Sequence, residues 1–191
     1  FEEILVIGAS DDFFFAEVRD LAIHKNGDLY VIDGLSNKLF RFDSTGSPLN
    51  VVESKGQGPG EFGTGQKRMV LLQDKVVILD ISIGGRFVHS FTLELEHLDS
   101  FTLEVLPSEA CSDEKSQLFL TTPMNILSEQ KLWRLDLGTR ALAKLPFEIN
   151  PIADHYDINF ISYDTVRDLL VLVFRFENKV RIIRPDGAHV K

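Results

Sequence analysis

Residues 28–33 read Asp-Leu-Tyr-Val-Ile-Asp, residues 37–43 read Asn-Lys-Leu-Phe-Arg-Phe-Asp, and residues 56–62 read Gly-Gln-Gly-Pro-Gly-Glu-Phe. The first two stretches are short runs rich in β-branched and aromatic side chains, which is typical of strands. Asn26-Gly27 precedes them and predicts a tight hairpin turn. The third stretch holds too much glycine and proline for a regular element, so it predicts a crossover. Together the pattern predicts two hairpins, hence a four-stranded antiparallel unit.

The unit recurs along the chain. Asn, Lys and Gly of residues 37–46 match those of residues 178–187, an offset of three periods of 47. One period carries residues 30–33 onto residues 77–80. A period of roughly 40–50 residues is the length of a β-propeller blade, and no span shows sustained helical periodicity. The sequence therefore predicts an all-β chain with about four blade repeats, at residues 18–55, 67–98, 101–147 and 158–191, and with residues 1–8 as the outer strand of another blade.

The first repeat and its crossover resemble an NHL-type propeller repeat, and the closest likeness is to bacterial six-bladed β-propeller proteins. This resemblance is specific over residues 18–62, fair over residues 158–190 and weak in between, where Thr122 stands in place of the aspartate expected after the second strand. The resemblance implies a segment of a six-bladed ring and an extracytoplasmic location. A closed ring of four blades is the alternative, with the N-terminal strand completing the last blade.

The composition of the chain limits the classes of partner that we expect it to bind. The 191 residues carry a formal net charge of -9, which opposes non-specific attraction to nucleic acid. No stretch approaches the roughly 20 apolar residues that span a bilayer. Cys111 is the single cysteine and has no basic neighbour in sequence to activate it, so we expect an inert thiol.

Ligands of propellers usually meet the loops at one mouth of the channel, which the innermost strand and the turn after the second strand approach. The charged residues predicted there as ligand-binding are Arg19, Asp20, Asp33, Arg68, Asp80, Asp157 and Arg175. Lys67 and Asn159 lie on the same predicted inner strands. An alternative for Asp33 and Asp80 is that they accept hydrogen bonds from amides of the turns.

No catalytic motif occurs. His155 beside Asp154 is the nearest approach to a metal site, but no second histidine lies at ligand spacing. No cofactor is expected, although a divalent cation such as calcium would suit the carboxylates. The sequence favours a non-catalytic binding propeller for a protein, peptide or glycan ligand, with self-association if the ring is incomplete. The alternative is a metal-dependent hydrolase or lyase, similar to propeller lactonases.

Overall fold

The protein is represented by a computed structural model that describes residues 6–7, 14–53, 55–56, 58, 60–82, 85–122, 131–147, 158–174 and 179–188. Every helix or strand assigned in that part of the chain is a β-strand. The strands form four antiparallel sheets. Two sheets belong to a unit formed by Phe1–Glu104 and two to a unit formed by Val105–Lys191. The prediction of an all-β chain with about four repeated antiparallel sheets is confirmed.

The first unit holds two four-stranded sheets, each with its strands in chain order. The first sheet contains Val18–Ile23 (β1), Leu29–Asp33 (β2), Lys38–Phe42 (β3) and Pro48–Glu53 (β4). The second sheet contains Gly65–Leu71 (β5), Lys75–Ser82 (β6), Gly85–Thr92 (β7) and His97–Thr102 (β8).

The second unit repeats this order. The third sheet contains Glu109–Ser112 (β9), Gln117–Thr121 (β10), Leu132–Asp136 (β11) and Leu142–Lys144 (β12). The fourth sheet contains Ile158–Asp164 (β13), Leu169–Phe174 (β14) and Lys179–Ile183 (β15) among the described residues.

Local sequence explains the hairpins of the first sheet. Gly27 follows Asn26 and has a φ of 93°, a left-handed conformation that glycine adopts without a steric penalty. The turn is closed by the amide of His24, which donates to the carbonyl of Asp28 at 2.9 Å. Because the turn sets the register, Tyr30 lies opposite Ala22 on β1 and opposite Arg41 on β3.

The two sheets of the first unit pack with β1 beside β5. Their shared core consists of Tyr30, Ile32, Leu39, Phe62, Met69, Val76, Ile78, Phe91 and Leu95. Burying one such side chain contributes roughly 1.5–3 kcal/mol. The Tyr30 hydroxyl donates to the carbonyl of Leu93 at 2.9 Å, and burial raises the pKa of Tyr30 to about 12, so the hydroxyl stays a donor.

In the second unit β9 lies beside β13. The core there consists of Phe119, Leu132, Leu145, Phe147, Ile158, Ile161, Leu170, Leu172, Phe174 and Ile183. The ring of Phe119 stacks on that of Tyr163, with centroids 5.2 Å apart. Each unit is therefore built in the same way, from two sheets whose first strands are neighbours.

Two sequence boundaries differ from the strand ends. The outer strand β8 runs to Thr102, so the predicted limit between the second and third repeats, between Leu98 and Phe101, falls inside it. The third sheet then begins at Glu109. Residues 1–8 lie mostly outside the described part of the chain, but Ile7 packs against the buried cluster of the first sheet.

Candidate functional site

Asp33, the last residue of β2, is fully buried and its carboxylate is bound by the backbone. It accepts hydrogen bonds from the amides of Ala16 at 2.8 Å and Glu17 at 3.0 Å. It also accepts from the amides of Leu35 at 3.1 Å and Ser36 at 3.3 Å. Burial alone would raise the pKa of Asp33, but these bonds outweigh burial and lower it. The amides of Leu35 and Ser36 belong to the turn after β2, as the alternative for Asp33 expects, whereas those of Ala16 and Glu17 lie just before β1.

Asp80 lies on β6 and is likewise buried. One carboxylate oxygen accepts from the amide of Gly63 at 2.7 Å, and the other accepts from the hydroxyl of Ser82. The ammonium of Lys67 lies 4.0 Å from that second oxygen. The carboxylate therefore joins the segment that precedes β5 to β6.

Lys67 is the unusual member of the group, because its side chain is 0% exposed. Its ammonium donates to the Asn37 side-chain oxygen at 3.0 Å and to the Gly63 carbonyl at 2.7 Å. Burial lowers the pKa of Lys67, and the neighbouring Asp80 opposes that shift. Asn37, in the turn after β2, has a φ of 54°, a conformation that asparagine tolerates better than most residues. Lys67 thereby links the turn of the first sheet to the second sheet.

The other predicted residues of the first unit lie on β1 and β5. Asp20 accepts from the amide of Met69 at 2.8 Å, which joins the two strands. Arg19 forms an ion pair with Glu17 at 3.0 Å, with about two fifths of each side chain exposed. Arg68 donates to the carbonyl of Lys67 at 3.4 Å. The structure thus places Arg19, Asp20, Asp33, Arg68 and Asp80 in one unit, and whether they bind a ligand stays a prediction.

The predicted residues Asp154, His155, Asp157 and Arg175 lie outside the described residues. Asn159 is in β13, but its side chain is not described. Within the described ranges no group of three metal-ligating side chains occurs. The same ranges contain no helix long and apolar enough to cross a bilayer.

A polar cluster that sequence reasoning missed holds the crossover between the first and second sheets. The hydroxyl of Ser100 lies 2.8 Å from His89 Nδ1 and 2.7 Å from His97 Nε2, and it accepts from the amide of Gly60 at 3.1 Å. The ring of Phe62 packs edge-on against His89, with centroids 5.7 Å apart. The Gly-Pro-Gly-Glu-Phe motif was the signal for this cluster, but its partners are some 30–40 residues away in sequence.

The buried position of His89 makes the stability of the folded protein sensitive to acid. Burial lowers the pKa of His89 below 6.5, and Nε2 is buried with no hydrogen-bond partner among the residues that the structure describes. The unfolded chain takes up a proton near pH 6.5, whereas the folded protein resists it. The contribution of His89 to stability is therefore complete above about pH 6.5 and is lost as the pH falls below that value.

We expect the free energy of unfolding to fall more steeply between pH 7.5 and 5.5 in the wild type than in His89→Asn. The asparagine amide keeps a polar atom near Ser100 but does not titrate. Urea unfolding at a series of pH values measures the two slopes. Equal slopes would show that His89 does not titrate in this range.

Cys111, on β9, is partly buried and packs against the core of the second unit. Burial raises the pKa of its thiol to about 12. A thiol with such a pKa is almost entirely protonated at neutral pH, which agrees with the expected inert cysteine.

Comparison with solved structures identifies proteins of the same fold. Virginiamycin B lyase from Staphylococcus aureus is 18% identical with a TM-score of 0.62, and the match covers 95% of this chain and 56% of that chain. KlAtg21, in complex with the coiled-coil of AgAtg16, is 14% identical with a TM-score of 0.62, over 91% of this chain and 55% of that chain. Hydrazine synthase from Kuenenia stuttgartiensis is 14% identical with a TM-score of 0.59, over 87% and 52%.

The chain thus spans just over half the length of each of these proteins. Their identities are too low to show more than a shared fold. No curated protein matches the chain. A family model described as 6-bladed beta-propeller matches residues 3–141, well over half of the sequence. With its repeated antiparallel sheets, the chain therefore belongs to the 6-bladed beta-propeller family.

Proposed function

We propose that this protein is a non-catalytic binding propeller that holds a protein, peptide or glycan ligand. The observation that carries the proposal is the state of the buried charged groups near the β2–β3 turn. Asp33, Lys67 and Asp80 all bind groups of the protein itself. A side chain engaged in this way serves the fold, because a reacting group needs access to its substrate.

The surface that remains available beside these groups consists of Glu17, Arg19 and Leu35, and we call it the turn surface. Leu35 is 70% exposed. It is nevertheless held in place, because its amide and that of Glu17 both donate to the carboxylate of Asp33. The stem of Arg19 lies over Gly34, where an added Cβ would come within 2.1 Å of the arginine Cγ. An anchored apolar side chain beside an ion pair suits recognition of a partner, since little order has to be gained on binding.

A similar protein supports the proposal. The structure of KlAtg21 is a complex with a coiled-coil of AgAtg16, so a protein of this fold holds a protein partner. The NHL-type repeat and the extracytoplasmic location are parts of the same proposal, and both rest on the sequence resemblance. Self-association through an incomplete ring also stays a prediction.

Peptide and glycan arrays probed with labelled protein test the proposal. We expect reproducible binding that Leu35→Asp weakens by about tenfold or more, the usual effect of altering an anchoring residue. The control is Leu98→Asp, which alters an equally apolar residue that is 53% exposed on β8 and should leave binding unchanged. Arrays that stay blank, or equal loss in both variants, would contradict the proposal.

The alternative of a metal-dependent hydrolase or lyase makes the opposite prediction for chelation. We expect a chelator to shift the melting temperature of the purified protein by less than about 1 °C, because metal that binds only the folded state would stabilise it. Metal analysis and an assay of lactone hydrolysis accompany the melts. Stoichiometric metal, together with lactone turnover that His155→Ala abolishes, would favour the enzyme.

A further inference from the structure

A surface pocket of about 410 Å³ lies in the second unit, between the end of β11 and the turns that follow β13 and β15. Its charged lining consists of Arg134, Arg167, Asp168, Arg184 and Asp186. The volume falls within the range of roughly 300–1,000 Å³ that is usual for small-molecule sites. None of these residues was a candidate from sequence.

The first unit has an equivalent position, which the repeat makes comparable residue by residue. Arg41 lies opposite Tyr30, and Arg134 lies opposite Phe119. Each arginine is two residues before the aspartate that opens the next turn, Asp43 or Asp136. Arg134 is therefore the counterpart of Arg41.

The facing turns also correspond. The amide of Thr92 donates to the carbonyl of Glu96, and that of Arg184 donates to the carbonyl of Ala188, at 2.8 and 2.9 Å. This hydrogen-bond pattern makes Asp186 the counterpart of Glu94. In both units an arginine on the third strand of one sheet thus faces an acidic residue on a turn of the next sheet.

The first unit fills this position with its own side chains. The guanidinium of Arg41 pairs with Asp28 at 2.7 Å and with Glu94 at 3.6 Å. The Tyr30 hydroxyl bonds the carbonyl of Leu93, and the side-chain amide of Asn50 bonds the carbonyl of Glu94. Each of these polar groups in the first unit therefore has a partner within the protein, and their side chains fill the position.

The second unit has different residues at the three positions whose side chains, Asp28, Tyr30 and Asn50, fill this site in the first unit. Gln117 stands two residues before Phe119, as Asp28 stands two residues before Tyr30, so the carboxylate is missing. Phe119 has no hydroxyl, and Ala143, opposite Arg134, replaces Asn50. Within the described residues the guanidinium of Arg134 makes no hydrogen bond or ion pair, although it is near enough to Asp136 to help lower the pKa of that carboxylate. The pocket is an opened version of the contact that closes the first unit.

The charges in the pocket indicate the kind of ligand. Arg134 and Arg184 offer planar forks that bind a carboxylate with two parallel hydrogen bonds. Arg167 is already paired with Asp164 at 2.8 Å. Asp168 accepts from the hydroxyl of Tyr163, and Asp186 accepts from the amide of Ala188. Each carboxylate keeps a second oxygen that can accept from a hydroxyl group of a ligand, and the two negative charges disfavour a doubly charged anion. Because the whole chain is acidic, an anion gains little from long-range attraction and depends on these local contacts.

We infer that this pocket binds a saccharide that carries a single carboxylate, with Arg134 and Arg184 on the carboxylate and Asp168 and Asp186 on the hydroxyls. The inference is independent of the turn surface of the first unit. It would hold if no partner binds at the turn surface.

Calorimetric titration with D-glucuronate tests the inference. We expect saturable binding, with glucose, acetate and inorganic phosphate each at least about tenfold weaker, since each lacks part of the contact set. Arg134→Gln should weaken glucuronate binding by about tenfold or more. The matched control is Arg86→Gln, which alters an exposed arginine on β7 of the first unit and should bind as the wild type does.

A second variant tests the position without removing an arginine. The double substitution Gln117→Asp and Phe119→Tyr introduces the side chains that the first unit has at these positions. We expect the introduced carboxylate to form an ion pair with Arg134 and to abolish glucuronate binding. Absence of saturable glucuronate binding to the wild type would overturn the inference. Binding that survives in Arg134→Gln, or phosphate that binds as tightly as glucuronate, would overturn it as well.

Discussion

Asp80→Ala is expected to lower the free energy of unfolding by about 3 kcal/mol, the low end of the range for breaking a buried ion pair. The substitution leaves the ammonium of Lys67 buried and removes the acceptor of the Gly63 amide. Urea unfolding followed by circular dichroism measures the change. Asp74→Ala is the control, because Asp74 is 72% exposed and surface changes usually stay within about 0.5 kcal/mol.

The partner substitution gives the same experiment a second arm. Lys67→Met in the Asp80→Ala background removes the buried ammonium that Asp80→Ala leaves unpaired. The double variant should therefore lose less stability than the sum of the losses in the two single variants. Additive losses, or a loss below about 1 kcal/mol for Asp80→Ala alone, would mean that the buried pair contributes little.

Phe62→Ala is expected to cost about 3–5 kcal/mol, the usual range when a buried phenylalanine is truncated. Phe62 is 0% exposed, and its ring packs against those of Phe91 and His89. The change would leave a cavity under the crossover motif. Phe62→Leu keeps most of the volume and should cost less than about 1.5 kcal/mol.

Two optical probes make the Phe62 result more informative. Trp133 is the only tryptophan and lies in the second unit, whereas circular dichroism reports on both units. If the units unfold together, both probes should shift equally in Phe62→Ala. A loss of less than about 1 kcal/mol measured by circular dichroism would contradict a core role for Phe62.

The sequence predicted the parts of the fold that depend on near neighbours. Asn26-Gly27 identified a hairpin whose glycine has the required positive φ. The alternation of residues 38–42 and the 47-residue period identified the strands and their repetition. The amide-binding alternative for Asp33 followed from its place at a strand end, and the structure has four such bonds.

The features that the sequence did not predict depend on contacts between residues that are distant in the chain. Lys67 looked like an inner-strand cation available to a ligand, but Asn37 and Asp80 enclose it. The third repeat has Thr122 in place of the aspartate expected after its second strand, yet the Thr122 hydroxyl also accepts a hydrogen bond, from the amide of Lys131 at 3.0 Å. Around Arg134 the described residues lack the partners that Arg41 has, and this difference is visible only when the two repeats are compared in register.

The protonated state of Cys111 has a practical consequence for spectroscopy. Because burial raises the pKa of its thiol to about 12, the thiol is almost entirely protonated at pH 8, and maleimides or nitroxide reagents react with the ionised form. Cysteines introduced at exposed turns can therefore be labelled one at a time while the native residue stays in place, so that distances between the sheets can be measured in solution.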